Sequence, residues 1–363
     1  MKYFLARIQK LQALLKKLNL DGMLVYQGFN TKYLTGFSGG TGDGIVVVGQ
    51  KKVRLITDAR YEADYKDRLP EGVDLVITRA YYEEAVKAVN EFGIKNLGFE
   101  ADLPYELYDY VESLLPADVS FDALPSAIET LREIKDEKEL TALRHAAQVS
   151  VQAFKELIPF IKPGVTERQV ANELDRLAKQ HGAQKASFDT IVASGYRGAL
   201  PHGEASDKVI EAGELVTIDF GYYVDDYTSD ITRTIAVGHV SDELKKIYEI
   251  VKQANINAIE VTKPGISGLE IDKVARDYIT AHGYGQEYNH STGHGVGLNI
   301  HEGPMLSVRS SDEIVPGHLL TIEPGIYLVG QGGVRIEDDV IVTPDGFENL
   351  TRELTKELIV IEG

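Results

Sequence analysis

Residues 212–221 read AGELVTIDFG, and residues 316–325 repeat the pattern as PGHLLTIEPG. Asp219 and Glu323 occupy the same position in the two copies, each at the end of an apolar run typical of a buried strand. A duplication that delivers one carboxylate per copy predicts two similar halves that share one site on a pseudo-two-fold axis.

A second pair of motifs extends the duplication upstream. KPGVT at residues 162–166 is followed by His181, and KPGIS at residues 263–267 is followed at the same spacing by His282. Proline and glycine beside a helix-capping Thr or Ser are typical of a turn that leads into a helix. We therefore expect each half to contain matching helices as well as matching strands.

The chain is longer than a single hydrophobic core usually allows, because cores stop growing near about 250–300 residues; it has 363. Within residues 1–131, a strand pattern at 22–26 and a hairpin pattern at 44–48 and 53–57 alternate with helical spacing. This predicts a smaller α/β domain over residues 1–131 and a larger α+β domain, which contains the repeat, over residues 132–363.

Composition excludes several classes of protein. The chain has no cysteine, which rules out disulfides, thiol catalysis and thiolate metal sites. Its formal charge of −18 opposes binding to nucleic acid, which needs clustered Lys and Arg. No apolar run approaches the ~18 residues that span a bilayer, and the N-terminus lacks the apolar core of a signal peptide. We expect a cytoplasmic protein without nucleic-acid or membrane partners.

The first half places two aspartates on facing strands. If the turn between these strands centres on Val224 and Asp225, Asp219 lies opposite Asp230. Facing side chains are ~4.5–5.5 Å apart, and like charges at that distance are destabilising. Two such carboxylates need a proton or a cation between them. With further aspartates in the turn, the pattern predicts one or two divalent cations.

The second half supplies two glutamates. Glu323 ends one strand pattern, and Glu337 leads into another. A buried glutamate is costly without a partner, and Arg335, two residues earlier on the same predicted face, is the simplest partner for Glu337 taken alone. The four acids together favour a metal site instead.

Three histidines in Gly- or Pro-rich turns complete the candidate site: His202, His294 and His301. One neutral imidazole with four carboxylates suits manganese, cobalt, iron or zinc. Two such ions ~3.5–4 Å apart can activate a water and stabilise charge on a carbonyl oxygen. The residues therefore predict metal-assisted hydrolysis, with an amide as the expected substrate.

Five motifs in order along the chain resemble those of the pita-bread metallopeptidases of family M24, and within them the Xaa-Pro peptidases, aminopeptidase P and prolidase. These motifs are IDFG at 218–221, SDITRT at 229–234, GHGVG at 293–297, IEPG at 322–325 and GVRIE at 333–337. The resemblance covers essentially the whole chain. It implies a C-terminal pita-bread domain and a creatinase-type N-terminal domain.

The resemblance also implies roles for individual residues, and no ligand position departs from the family pattern. Two metal ions, most often manganese, would be held by five residues: Asp219, Asp230, His294, Glu323 and Glu337. Asp230 and Glu337 would bridge both ions, and Glu323 would act as general base toward a bridging hydroxide. His202 and His301 match the family's catalytic histidines, and Arg335 matches an arginine near the second metal.

By the same resemblance, the substrate is a proline-containing peptide, and the protein forms a homodimer. The segment YLTGFSG at 33–39 and the compact N-terminal domain favour an Xaa-Pro aminopeptidase, with Xaa-Pro dipeptidase (prolidase) as the alternative. Arg309 could bind a free carboxylate, but a surface arginine is the simpler interpretation.

Three further alternatives remain open. Methionine aminopeptidase would not explain the N-terminal domain, and a metal-free amidinohydrolase would not need the full ligand set. A non-catalytic peptide- or histone-binding module would not need it either, and a metal content below one ion per chain would favour such a module.

Overall fold

The computed structural model describes residues 2–362, and the chain divides into two compact units between Arg132 and Glu133. Residues 2–132 have a hydrophobic core of their own, to which Leu24, Val47 and Phe99 belong. Two further core clusters lie in the second unit. Among residues 2–362, no helix is both long enough and apolar enough to cross a membrane.

The first unit is a six-stranded mixed sheet with helices. The strands are β1 (Gly22–Val25), β2 (Gly44–Gly49), β3 (Val53–Thr57), β4 (Val73–Ile77), β5 (Asn96–Glu100) and β6 (Ser120–Leu124), in the order β4-β3-β2-β1-β5-β6. The helices are α1 (Lys2–Lys17), α2 (Gly28–Thr35), α3 (Glu62–Tyr65), α4 (Tyr81–Phe92), α5 (Tyr105–Leu114) and α6 (Glu129–Glu133).

The hairpin that the sequence predicted in this unit is confirmed. β2 and β3 pair antiparallel, with Val48 opposite Val53 and Gly44 opposite Thr57. β1 and β2 are buried along their whole length, as expected for the continuous apolar runs of central strands. The α/β pattern of residues 1–131 therefore corresponds to real strands and helices.

The second unit contains the remaining elements. Its helices are α7 (Glu137–Leu157), α8 (Glu167–Gln180), α9 (Asp242–Val261) and α10 (Gly268–Ala281). The strands of its first half are β7 (Lys185–Ala186), β8 (Ile191–Ser194), β9 (Glu214–Phe220), β10 (Tyr222–Tyr223) and β11 (Ile231–Val237). Those that follow are β12 (Gly293–Gly295), β13 (Glu302–Leu306), β14 (Leu319–Ile322), β15 (Gly325–Leu328), β16 (Gly332–Arg335), β17 (Asp338–Thr343), β18 (Gly346–Asn349) and β19 (Val360–Ile361).

The duplication is visible in how the helices begin. Thr166 caps α8 and Ser267 caps α10, each accepting a hydrogen bond from the backbone of the third helical residue in a capping box. The preceding glycines, Gly164 and Gly265, have φ of 95° and 86°, a left-handed conformation that glycine adopts without strain. The upstream repeat therefore encodes the same turn and the same helix start twice.

Each half packs its two helices against its own strands. α7 and α8 share one core with β8, β9 and β11, and α9 and α10 share another with β14, β16 and β17. The two larger sheets have the orders β19-β11-β9-β8 and β13-β12-β14-β17-β18. The acidic residues of the repeat lie where β9 and β14 end, so the fold determines where the site forms.

Candidate metal centre

All eight side chains that the sequence singled out line one cavity of about 490 Å³ in the second unit. They are His202, Asp219, Asp230, His294, His301, Glu323, Arg335 and Glu337. These residues come from turns and strand ends of both halves. The structure therefore places the predicted site residues together.

The hairpin that carries the two aspartates has a different register from the predicted one. Asp219 pairs with Thr232 rather than with Asp230. The turn is formed by Asp225 and Asp226, whose φ values of 52° and 70° are both left-handed, and aspartate tolerates that conformation better than most residues do. The predicted centre of the turn was one residue too early, which moves each strand partner by two positions. Because side chains alternate with a period of two, Asp230 keeps its predicted face.

Three carboxylates meet closely at this position. Asp219, Asp230 and Glu337 each offer an oxygen within 4.8 Å of the others. They are only 8%, 5% and 1% exposed. Asp219 Oδ1 is buried and accepts no hydrogen bond among the described residues. A buried, unpaired carboxylate oxygen among like charges fits a metal ion, because a cation would both neutralise and coordinate it.

His294 presents its free ring nitrogen to the same cluster. Its Nδ1 lies 2.9 Å from the Gly295 carbonyl oxygen, which can only accept, so Nδ1 carries the proton. Nε2 then has the lone pair, and it lies 3.6 Å from Asp230 Oδ2 and 3.5 Å from Glu323 Oε1. Burial lowers the pKa of His294 to about 4 and keeps the ring neutral, as a metal ligand must be.

Each acid of the cluster makes ionisation of its neighbours less favourable. Burial, followed by the charges of Glu337 and Asp219, raises the pKa of Asp230 well above its ordinary value. Burial and the charges of Glu323 and Asp219 do the same for Glu337. Burial raises the pKa of Glu323 to about 7, against the opposing charge of Arg335. Without a cation, the cluster therefore holds protons that ordinary carboxylates would have lost at neutral pH.

Arg335 does not pair with Glu337 as the sequence predicted for the ion-pair alternative. Its Nη2 donates to Asp219 Oδ2 at 2.6 Å, and Glu337 Oε2 instead accepts a hydrogen bond from Thr232 Oγ1 at 2.7 Å. The prediction assumed one regular strand through both residues. In the structure Arg335 ends β16, whereas Glu337 precedes β17, which belongs to a different sheet.

The two remaining histidines lie beside this cluster. The ring of His301 is 4.6 Å from the ring of His294, centroid to centroid. Burial lowers the pKa of His301, and the negative charge of Asp219 opposes this shift without cancelling it. His202 lines the cavity from the turn that follows Pro201. Both rings line the cavity.

Sequence reasoning missed a hydrogen-bonded chain behind Asp219. Arg335 Nη1 donates to the Tyr327 hydroxyl at 2.8 Å, and that hydroxyl lies 2.9 Å from His290 Nε2. Both Tyr327 and His290 line the cavity. The available signal was His290 itself, a fourth histidine close before His294. Nothing in the sequence pattern indicated that Tyr327 connects it to Arg335.

Manganese is expected to raise the melting temperature more at about pH 8 than at about pH 5, because protons compete with the ion for the same carboxylates. The folded pKa of Glu323 is about 7, whereas an unfolded glutamate titrates near about 4.3. As the pH rises through this window, the ion-free fold loses the stability that its bound protons supplied. A metal ion replaces those protons.

Differential scanning fluorimetry with manganese and with EDTA across this pH range measures the difference. Sodium chloride at the same ionic strength serves as the control. Equal shifts in melting temperature at both pH values would contradict a carboxylate cluster that exchanges protons for metal.

Comparison with known proteins agrees with this geometry. Residues 141–344 match the family described as Metallopeptidase family M24, and residues 7–134 match the Creatinase/Prolidase N-terminal domain. An Xaa-Pro dipeptidase of Pyrococcus horikoshii is 40% identical over 95% of this chain and 97% of its own.

Two solved structures superpose over nearly the full length. The structure titled Xaa-Pro dipeptidase from Bacillus anthracis is 44% identical, has a TM-score of 0.94, and covers 99% of this chain and 100% of its own. The X-Pro aminopeptidase from Thermotoga maritima is 35% identical, has a TM-score of 0.89, and covers 98% and 99%. The predicted resemblance and fold class are confirmed: the chain belongs to metallopeptidase family M24, with a creatinase-type domain before the pita-bread domain.

Proposed function

We propose that the chain is a two-metal Xaa-Pro dipeptidase, which hydrolyses the bond before a C-terminal proline. The convergence of five metal-donor side chains in one cavity supports hydrolysis by metal ions. The Pyrococcus horikoshii relative and the Bacillus anthracis structure both carry the name Xaa-Pro dipeptidase and match almost end to end. These likenesses favour the dipeptidase over the aminopeptidase that the sequence placed first.

The proposed ligands are the five residues named from the sequence: Asp219, Asp230, His294, Glu323 and Glu337. The neighbours of Asp230 support its sharing between two ions, since Asp219 and Glu337 each offer an oxygen within 4.8 Å and His294 Nε2 lies 3.6 Å from Asp230 Oδ2. Glu337 is the second proposed shared ligand. The negative charge of Glu323 helps to raise the pKa of Glu337, as expected for close neighbours.

When bound, the two ions would polarise the scissile carbonyl group and increase the acidity of a water molecule. Glu323 would accept the proton of the attacking water, since its carboxylate lines the same cavity as the other proposed ligands. His202 and His301 would donate hydrogen bonds to the oxygen on which negative charge develops. Arg335 would hold Asp219 in place through their 2.6 Å contact.

One observation favours the aminopeptidase as second candidate. Among the described residues that line the cavity, only Arg335 carries a permanent positive charge, and each of its nitrogens already donates, to Asp219, Tyr327 or Thr232. Arg309 is exposed and does not line this cavity. A dipeptide's free carboxylate would therefore meet histidines rather than an uncommitted guanidinium, whereas a longer peptide has no carboxylate at that position.

An Xaa-Pro dipeptide is expected to be hydrolysed with a kcat/KM at least about tenfold above that of the Xaa-Pro-Pro tripeptide with the same first residue. Chelated protein should be inactive, and manganese should restore release of the free amino acid. The matched control is the corresponding Xaa-Ala dipeptide, which tests the need for proline.

A tripeptide cleaved as fast as the dipeptide would support the aminopeptidase instead. A protein that binds less than one transition-metal ion per chain after manganese supplementation would support the non-catalytic binding module. Homodimerisation, the preference for manganese and a cytoplasmic location stay predictions, and a sizing column tests the first of them.

A further inference from the structure

A buried carboxylate beside the cluster, Asp339, has no place in the proposed ligand set. It is the second residue of β17 and is 1% exposed. Its neighbour Asp338 is neutralised by Arg233 and Lys356. In residues 2–362, by contrast, no lysine or arginine forms an ion pair with Asp339. Its burial therefore calls for a reason other than a salt bridge.

The Asp339 side chain holds the backbone of a proposed metal ligand. Its Oδ2 accepts a hydrogen bond from the Asp230 backbone N–H at 3.0 Å. The ladder between β11 and β9 begins only at Ile231, opposite Phe220, so Asp230 lies just outside the regular strand. The bond from Asp339 thus fixes the main chain at Asp230, whose carboxylate lies within 4.8 Å of those of Asp219 and Glu337.

The residue opposite Asp339 in the sheet contacts two other proposed ligands. β14 and β17 pair antiparallel, with Thr321 directly across from Asp339. Thr321 Oγ1 accepts a hydrogen bond from the His294 backbone N–H at 3.0 Å, and it donates to Glu323 Oε1 at 3.3 Å. One pair of facing residues therefore contacts three of the five proposed ligands.

The position of Asp339 is unfavourable for the metal-free protein. Its second oxygen, Oδ1, is buried and has no hydrogen-bond partner among the described residues. A buried polar atom left without a partner costs stability, so a residue chosen for stability alone would not be an aspartate.

We propose that Asp339 is a positioning residue, which fixes Asp230 through its backbone N–H so that the Asp230 carboxylate can reach both ion positions. This inference rests on the two-metal site proposed above. Asp339 does not line the cavity, and it acts through the strand end that it holds.

Two variants, Asp339→Asn and Asp339→Leu, distinguish this role from an effect of charge and from an effect of packing. The asparagine carbonyl oxygen can still accept the Asp230 N–H, whereas leucine has a similar shape and no acceptor. We expect manganese affinity within about threefold of wild type for Asp339→Asn and about 10- to 100-fold weaker for Asp339→Leu. Isothermal titration calorimetry with manganese alone measures both, and Asp339→Val replaces the leucine variant if that variant does not fold.

Glu167→Gln is the matched control for removing a buried carboxylate. Glu167 is fully buried, accepts hydrogen bonds from Ser194 and Ser206, and does not line the cavity. Its replacement should change the melting temperature of the ion-free protein without changing manganese affinity. A purely structural Asp339 would behave in the same way.

The outcomes distinguish this inference from the proposed function. A wild type that takes up no manganese would overturn the two-metal proposal and this inference with it. A wild type that binds manganese, with a leucine variant of equal affinity, would overturn this inference alone. An asparagine variant as weak as the leucine variant would also overturn it, because charge rather than the held N–H would then be responsible.

Discussion

Glu337→Gln is expected to abolish stable metal binding and to lower the rate of peptide hydrolysis by about 10³-fold or more, because metal ions supply several kcal/mol of transition-state stabilisation. Glu337 is 1% exposed and lies within 4.8 Å of two other carboxylates. Glutamine keeps the size and can still accept the hydrogen bond from Thr232 Oγ1. The change therefore removes a negative charge and a ligand with little change in packing.

The same substitution is expected to stabilise the ion-free protein at neutral pH. Burial and the charges of Glu323 and Asp219 raise the pKa of Glu337 in the folded state. Above the ordinary glutamate pKa, ionising this group in the folded chain opposes folding, and glutamine removes that cost. At a pH below the unfolded pKa, where the acid is protonated in both states, the stabilisation should vanish.

Urea unfolding in EDTA, metal analysis and a peptide assay together test this expectation. Glu313→Gln, at an exposed position outside the cavity lining, serves as the control for loss of a charge. A Glu337→Gln protein that is less stable without metal, or that keeps wild-type activity with manganese, would contradict the interpretation of the cluster as a metal site.

Arg233→Met is expected to lower the free energy of unfolding by about 3–5 kcal/mol, which is typical when one partner of a buried ion pair is removed. Arg233 is 1% exposed, and its Nη2 lies 2.9 Å from Asp338 Oδ1. Although burial raises the pKa of Asp338, the charges of Arg233 and Lys356 outweigh it and hold that pKa below its ordinary value. Methionine retains the packing of the long side chain but leaves Asp338 with one cation.

The double variant Arg233→Met with Asp338→Asn is the matched control, since it removes both charges of the pair. It should recover part of the lost stability, although Lys356 then loses its partner. Denaturant titration of the two single variants and the double variant measures the coupling. A loss below about 1 kcal/mol for Arg233→Met would show that the pair behaves like an exposed one.

The parts of the fold that repeat could be predicted from the sequence. A motif that recurs at constant spacing constrains two segments at once, and α8 and α10 begin at equivalent positions of that repeat. The acids proposed as ligands were recognisable because a carboxylate at the end of an apolar strand needs a partner. The family resemblance predicted which residues meet at one site, and all eight of them line the cavity.

Features that depend on a single turn, or on the chain passing from one sheet to another, could not be predicted. The register of β9 and β11 was wrong because two aspartates in the left-handed region are as compatible with the sequence as the turn that was assumed. Arg335 was predicted to pair with Glu337 because nothing in the apolar pattern marks the break between β16 and β17. The link from Arg335 through Tyr327 to His290 requires knowledge of side-chain directions.

The wide spacing of the acids along the chain has a kinetic consequence. Asp219 and Glu337 are 118 residues apart in the sequence, and Asp219 lies in β9 whereas Glu337 precedes β17, a strand of a different sheet. A loop of that length closes late, because its entropy must be overcome before any contact across it rewards the chain. An ion that needs all of these donors therefore binds the folded chain in preference to the unfolded one. Such binding stabilises the folded state by mass action.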